Sequence, residues 1–328
     1  MIKINLDNLQ ETIKRQTIEP DEDFLYDVII IGGGPAGMTA CVYAARKKLN
    51  VLLITKNLGG QVLWTSGIEN YMGYQYITGQ ELAQKFSEQV YSFPIAIQMP
   101  DEVIQVERKN KYFIVYTKYG STFQARALII ASGKEPKQLG IPNEKELTGR
   151  GVSYCATCDA PLYHNKTTAV IGGGNSAVLA ALELSKIARL VYLIVRSSIK
   201  ADPVLTDRLN QTPRIKVYLG YVPKSIKGKE HVESLIITKT DGSGEQELLT
   251  DGIFIEAGLV PNTKFLNGLV KTNEKEEIIV NCNCETSEPG VFACGDVTNV
   301  IDKQIIIACG EGAKAALTLY RYLMSTKI

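Results

Sequence analysis

The apolar residues of this chain fall into two blocks of the same design. Asp27 to Ile31 reads as an apolar parallel strand, Gly32-Gly33-Gly34-Pro35-Ala36-Gly37 as its turn, Met38 to Lys47 as the helix behind it, and Val51 to Thr55 as the next strand. The order recurs with Ala169-Val170-Ile171, the turn Gly172-Gly173-Gly174-Asn175-Ser176-Ala177, the helix Val178 to Lys186 and the strand Val191 to Val195. A strand running into G-x-G-x-x-G and then a helix is the setting in which that spacing binds a dinucleotide. The first glycine permits a tight turn, the second lets a pyrophosphate reach the backbone, and the third lets the helix pack on the strand, with the helix N-terminus facing the phosphates. Gly32, Gly34 and Gly37 hold these places in the first block, with Pro35 and Ala36 between them. Gly172 and Gly174 hold them in the second, followed by Asn175, Ser176 and the small Ala177. The first block lacks the acidic residue that usually ends the second strand and holds a ribose; in the second, Arg196-Ser197-Ser198-Ile199-Lys200 stands there.

A third apolar stretch, Gly290 to Val297, reads as a strand ending in Gly295-Asp296, where a carboxylate can accept hydrogen bonds from a ribityl chain. Gly310-Glu311-Gly312 then opens a helix expected over Ala313 to Met324. The C-terminal segment is thus expected to return and complete the first nucleotide fold. The fold class that follows is α/β, two Rossmann-like nucleotide-binding domains of three-layer ββα type, the first of them discontinuous.

Composition excludes more than it identifies. The 328 residues suffice for two domains with sizeable cores. With 36 Lys and Arg against 35 Asp and Glu, no global field exists to hold nucleic acid or an anionic membrane. No apolar run approaches the roughly 20 residues of a membrane span, and the N-terminus lacks the apolar core of a signal peptide, so a cytoplasmic location is expected. Leu6, Leu9 and Ile13 share helical spacing and are read as a surface cap in preference to a docking helix. The seven cysteines, at 41, 155, 158, 282, 284, 294 and 309, are odd in number and scattered; one redox pair with five reduced thiols fits them better than a secreted disulfide framework.

That pair is Cys155-Ala156-Thr157-Cys158-Asp159, between the two glycine loops. Two cysteines separated by two residues close a readily exchanged disulfide; the start of a helix lowers a thiol pKa, and Asp159 is placed to supply a proton. The same spacing also binds zinc, which needs a second pair or histidines, yet only His164 is near and Cys282-Asn283-Cys284 has the wrong spacing. No metal site is expected.

These residues together resemble the low-molecular-weight thioredoxin reductases, pyridine nucleotide-disulfide oxidoreductase flavoproteins, over nearly the whole chain. The motifs are Gly59-Gly60-Gln61, Glu69-Asn70-Tyr71, Cys155 to Asp159, Gly295-Asp296 and Gln304-Ile305 ahead of Gly310-Glu311-Gly312. The family also lacks an acid at the position of Thr55. Lys200-Ala201-Asp202, Val260 to Thr263 and Lys303 to Ile306 are most similar to the flavoprotein subunit of alkyl hydroperoxide reductase. That relative carries a thioredoxin-like N-terminal extension, which is not expected here with the first strand at Asp27.

The resemblance implies an FAD-binding domain over 1–137 and 261–328, with Gly60, Gln61, Asn70, Asp296, Gln304 and Ile305 beside the flavin, and an NAD(P)-like domain over 138–260 carrying the cysteine pair. It implies that Cys158 receives electrons from the flavin, that Cys155 attacks the disulfide of a thioredoxin-like protein, that Asp159 protonates the leaving thiolate, and that the second domain turns about hinges near 137 and 261. A homodimer is expected. NADPH-dependent members carry His-Arg-Arg and a further arginine after the second strand of the nucleotide domain, whereas this chain keeps only Arg196, with Lys200 beyond; NADH-dependent relatives place a glutamate there, and this chain has none. NADH, NADPH or a second FAD at the second loop, and ferredoxin as donor, therefore stay open. A disulfide reductase is favoured over a flavin oxidase, which has no need of the pair, and over a sensor that binds flavin without reductase activity. Reduction of a peroxiredoxin system with NADH is an alternative.

Overall fold

The computed structural model describes residues 16–65 and 67–325. In chain order the elements are β1 (Leu25–Ile31), α1 (Pro35–Arg46), β2 (Val51–Ile54), α2 (Gly79–Tyr91), β3 (Ala96–Gln98), β4 (Val103–Lys109), β5 (Tyr112–Thr117), β6 (Thr122–Ile130) and β7 (Lys134–Pro136). They continue with β8 (Val152–Ser153), α3 (Ala156–Asp159), β9 (Thr167–Ile171), α4 (Asn175–Ser185), β10 (Leu190–Val195), α5 (Pro203–Asn210) and β11 (Ile215–Leu219). The last are β12 (Tyr221–Lys227), β13 (Ser234–Lys239), β14 (Glu245–Leu249), β15 (Gly252–Ile255), β16 (Leu259–Pro261), β17 (Val291–Ala293) and α6 (Ile305–Ser325). The chain forms two compact units, one from the described residues up to Val62, Gln80–Glu135 and Val260 onwards, the other from Leu63–Gly79 and Pro136–Leu259.

Alternation along β1 sets the layers of the first unit. Val28 and Ile30 face α1 and α6, while Ile29 and Ile31 face a second core built with Val106, Phe113 and Val115 of β4 and β5. A strand covered on both faces has no use for polar positions, which is why β1 reads as an unbroken apolar run. The sheet order is β3-β2-β1-β6-β5-β4, with β17 also paired to β6. β1 pairs parallel with β2 and β6, β2 with β3 and β6 with β17, while β5 pairs antiparallel with both β6 and β4. The C-terminal stretch does return to this unit: β17 joins β6 at Val291↔Leu128, and α6 lies on α1.

The second unit repeats the scheme around β9. Its parallel sheet has the order β11-β10-β9-β15-β8. Val170, Val191 and Leu193 pack with α3, α4 and α5, and Ala169, Ile171 and Ile194 pack with Ile226, Leu235, Ile237 and Leu248 of the antiparallel β12-β13-β14 sheet. In the second unit helices, parallel sheet and antiparallel sheet therefore lie in layers, whereas in the first β4 and β5 continue the parallel sheet itself.

Three expectations need correction or lie out of reach. The last helix begins at Ile305, eight residues before the expected Ala313, so Gly310 and Gly312 sit inside it. Glycine costs about 1 kcal/mol in a helix, but at Gly312 a Cβ would lie 2.1 Å from the Ala36 carbonyl oxygen, and the close approach of α6 to α1 offsets the cost. Residues 63–79, expected within the first domain, group with the second unit, as a loop closed on itself by Ile68 and Ile77 exchanging N–H···O bonds of 2.8 and 3.0 Å. The Leu6, Leu9 and Ile13 leader lies outside the described residues. Among the described residues no helix is long and apolar enough to cross a membrane.

Candidate functional site

The first glycine loop is held by contacts that leave one open face. Gly32 has φ +111°, and a Cβ there would stand 2.3 Å from Ala131 O; a Cβ on Gly37 would stand 1.8 Å from Gly32 O. These two glycines serve the turn and the helix packing. Gly34 is different, with φ −73° and nothing within 4 Å of where a Cβ would be. α1 starts at the next residue with Pro35 at its first turn, and Met38 N–H is the first to pair back, to Gly34 O at 2.9 Å. The N–H groups of Ala36 and Gly37 have no intrahelical acceptor and front that open face, as an anion requires.

Thr55, which reads in the sequence only as a missing acid, latches this loop. Its Oγ1 accepts the Gly33 N–H at 2.9 Å and donates to Asn57 O at 2.7 Å, and Asn57 Oδ1 accepts the Gly60 N–H at 2.9 Å. Gly60, at φ +56°, thereby comes over Gly34, its would-be Cβ 3.2 Å from Gly34 Cα. Gln61 Nε2 donates to Lys134 O at 2.7 Å. From the C-terminal side, Gly295 at φ +75° puts its would-be Cβ 2.9 Å from the Ala36 Cβ, and its N–H donates to Glu311 Oε2 at 2.7 Å. Asp296 follows, half-buried and making no side-chain hydrogen bond among the described residues; burial pushes its carboxyl up, against the pull of Lys303 and Lys134. Gln304 and Ile305 stand at the start of α6. An open backbone cradle and a half-buried carboxylate without a protein donor are what the pyrophosphate and ribityl of FAD need, so the residues of this unit fit that cofactor. Asn70 belongs to the 63–79 loop of the second unit.

Sequence reasoning missed the buried charges nearby. Lys134 and Glu277 form an ion pair with side chains only 8% and 12% exposed. Burial opposes the Glu277 charge, but hydrogen bonds from Lys134 and Asn273 overcome it and hold its pKa low. Lys303, its pKa pulled down by burial, donates to Thr298 O at 2.7 Å. A buried lysine at 134 carries no periodic signal that would announce it.

The second loop has the same division of labour. A Cβ on Gly172, at φ +150°, would meet Glu256 O at 2.5 Å and Ala177 Cβ at 2.8 Å, whereas Gly174 again has nothing within 4 Å. Asn175 and Asp202 bond reciprocally, Nδ2 to Oδ2 at 3.0 Å and Asp202 N–H to Oδ1 at 2.8 Å. Lys200 N–H donates to Gly173 O at 2.6 Å, which draws the 196–200 segment alongside the loop. Arg196 and Lys200 are exposed there and have no carboxylate partner among the described residues.

The cysteine pair is on this second unit. Cys155 and Cys158 form a disulfide with a Cα–Cα distance of 5.4 Å. Cys155 caps α3 from the end of β8; its N–H donates to Ser153 Oγ at 3.1 Å, and its carbonyl accepts the Asp159 N–H at 3.2 Å. Asp159 closes the same turn, buried; burial above all, helped by Asp159 and Asp251, pushes the Tyr163 phenol up. The other five cysteines are reduced. Burial raises the Cys41 and Cys294 thiols and lifts Cys284 to about 11, which leaves those three inert at neutral pH.

Residues 26–312 match the family model described as pyridine nucleotide-disulphide oxidoreductase. The chain belongs to that family. It is 40% identical over 301 residues to the alkyl hydroperoxide reductase F subunit of Staphylococcus aureus (strain MSSA476), covering 91% of this chain and 59% of the relative. The corresponding Pseudomonas aeruginosa protein, also an alkyl hydroperoxide reductase F subunit, is 39% identical over 306 residues, 92% of this chain and 59% of the relative. The chain thus spans about three-fifths of the length of these relatives. Among solved structures, thioredoxin reductase from Streptococcus pyogenes MGAS5005 is similar with a TM-score of 0.86 and 37% identity, covering 92% of this chain and 99% of that one. Thioredoxin reductase from Giardia duodenalis gives 0.83 and 31%, with 91% and 99% covered. The family is one of oxidoreductases, and membership implies binding of FAD and a pyridine nucleotide.

Proposed function

We propose that this protein is an FAD-dependent reductase that takes two electrons from NADH and delivers them through the Cys155–Cys158 disulfide to the disulfide of a thioredoxin-like protein. The observation that carries the reading is the formed, half-buried Cys155–Cys158 disulfide on the unit that also holds the second open glycine loop. FAD, held by Gly32 to Gly37, Gly60, Gln61, Gly295, Asp296, Gln304 and Ile305, would take the two electrons from the nicotinamide and pass them to the disulfide. Gly172 to Ala177 and Arg196 would hold the nicotinamide nucleotide.

The remaining chemistry belongs to the cysteine turn. Two electrons and two protons convert Cys155–Cys158 to two thiols. The Cys155 thiolate attacks one sulfur of the partner's disulfide, a Cys155–partner bond forms, and the displaced partner sulfur leaves as a thiolate that Asp159 protonates. Cys158 then displaces the second partner sulfur and the Cys155–Cys158 bond is restored. NADH is preferred to NADPH because Arg196 and Lys200 are the two cations at the end of β10, fewer than a tightly held 2′-phosphate uses. A homodimer and a cytoplasmic location complete the proposal. The test is anaerobic turnover of a thioredoxin-like disulfide by the FAD-loaded protein with NADH. Loss of turnover in both Cys155→Ser and Cys158→Ser is expected, and turnover surviving in Cys155→Ser overturns the assignment.

A further inference from the structure

Three parallel strands of the second unit end side by side, and each is followed by a residue with a different task. Ser153 of β8 pairs with Phe254 of β15, which pairs with Val170 of β9. Two residues beyond each lie Cys155, Glu256 and Gly172. Glu256 is therefore set between the redox disulfide and the nucleotide loop, at the carboxyl edge of the sheet where α/β folds place their ligands. Its N–H donates to Ile171 O at 2.9 Å, and its own carbonyl lies 2.5 Å from where a Gly172 Cβ would be. The N–H of Ala156, the residue after Cys155, lies near the Glu256 carboxylate and favours the charged form. The charged side chain that faces it is Glu183 of α4, and beside it on α3 is the cysteine pair.

We propose that Glu256 is a positioning residue for the redox pair: set by strand register beside the start of the cysteine turn, it controls by its charge how readily Cys155 becomes a thiolate. The inference rests on Cys155 being the attacking thiol. A thiolate at the start of a helical turn is stabilised by the N–H groups there. An ionised carboxylate beside one of them opposes a second negative charge, and a protonated one does not. Burial, opposed by the nearby Ala156 N–H and reinforced by Glu183, lifts the Glu256 carboxyl to about 7, so the change falls in the neutral range. Above that pH, Glu256 raises the Cys155 pKa and slows its reactions; below it, the restraint is lifted.

The test is the rate at which iodoacetamide alkylates Cys155 in reduced, FAD-loaded Cys158→Ser protein, read by mass spectrometry of the Cys155 peptide from pH 5.5 to 9, with and without Glu256→Gln. Glutamine keeps an acceptor for the Ala156 N–H and removes the charge. The variant should react about three- to tenfold faster at pH 8, the effect of one nearby charge on a thiol pKa, and should lack the inflection near 7. At pH 5.5 the two proteins should react alike, which a merely altered turn would not produce. Coincident profiles at every pH, or a constant offset at every pH, overturn the proposal. Alkylation needs no turnover, so this outcome is separable from failure of the reductase reading, which shows in Cys155→Ser turnover.

Discussion

Gly34→Val isolates cofactor binding from folding. At φ −73° valine meets no backbone strain, and no atom within 4 Å contests the new Cβ, so the apo fold should be unharmed and slightly favoured by a less flexible unfolded chain. The side chain instead occupies the face where a pyrophosphate must meet the Ala36 and Gly37 N–H groups. Hydrogen bonds to a charged group contribute about 1.5–3 kcal/mol each, so losing both costs about 3–6 kcal/mol, or about two to four orders of magnitude in Kd. FAD content is read from absorbance of the denatured supernatant, and Kd from fluorescence quenching as FAD is added back. Gly174→Val, matched in its open surroundings but on the second loop, should keep FAD and lose the nicotinamide nucleotide. A folded Gly34→Val protein that binds FAD within threefold of wild type would refute the reasoning.

Thr55→Val strips the Gly33 N–H and Asn57 O of their partner, which should lower stability by about 1–3 kcal/mol in urea melts and weaken FAD binding about tenfold; an unchanged midpoint would show the latch to be idle. Because burial lifts the Glu256 carboxyl from its ordinary 4.5 to about 7, the folded state binds the proton more tightly than the unfolded one. That stabilisation is whole below about pH 4.5 and is lost as pH rises through 7, so between pH 5 and 8 wild type should lose up to about 3 kcal/mol relative to Glu256→Gln; parallel pH profiles of the two melts would contradict it. NADPH should bind about two to four orders of magnitude more weakly than to a site with two further arginines, as two lost charge-assisted bonds imply, and rapid flavin reduction by micromolar NADPH would show that Arg196 and Lys200 suffice. Released flavin should amount to about one per chain, since the second loop is read as a nicotinamide site; about two would mean a second FAD there.

Much of the architecture was legible because it rests on short-range rules. The strand-glycine-helix order at Ile31 to Met38 and at Ile171 to Val178 announces both nucleotide folds, and the observed strands and helices begin only a few residues from where alternation places them. The motifs Cys155 to Asp159 and Gly59 to Gln61 pointed to the family that the match over residues 26–312 shows. What escaped depends on contacts distant in sequence. Gly310 and Gly312 look like a helix start until Ala36 is seen against Gly312. Thr55 gains its role from Gly33, and Glu256 from strand register with Ser153, neither of which has any local pattern. The 63–79 loop has no helical or alternating period that would show which unit it joins.

Electrons entering at the nucleotide site are expected to reach the Cys155–Cys158 disulfide. Anaerobic titration of the FAD-loaded protein with NADH, followed by thiol counting on the unfolded chain, tests it directly. Uptake of about two equivalents per chain is expected, one for the flavin and one for the disulfide, with two thiols appearing beyond the five already reduced. Flavin bleaching after about one equivalent, with the thiol count still at five, would contradict it.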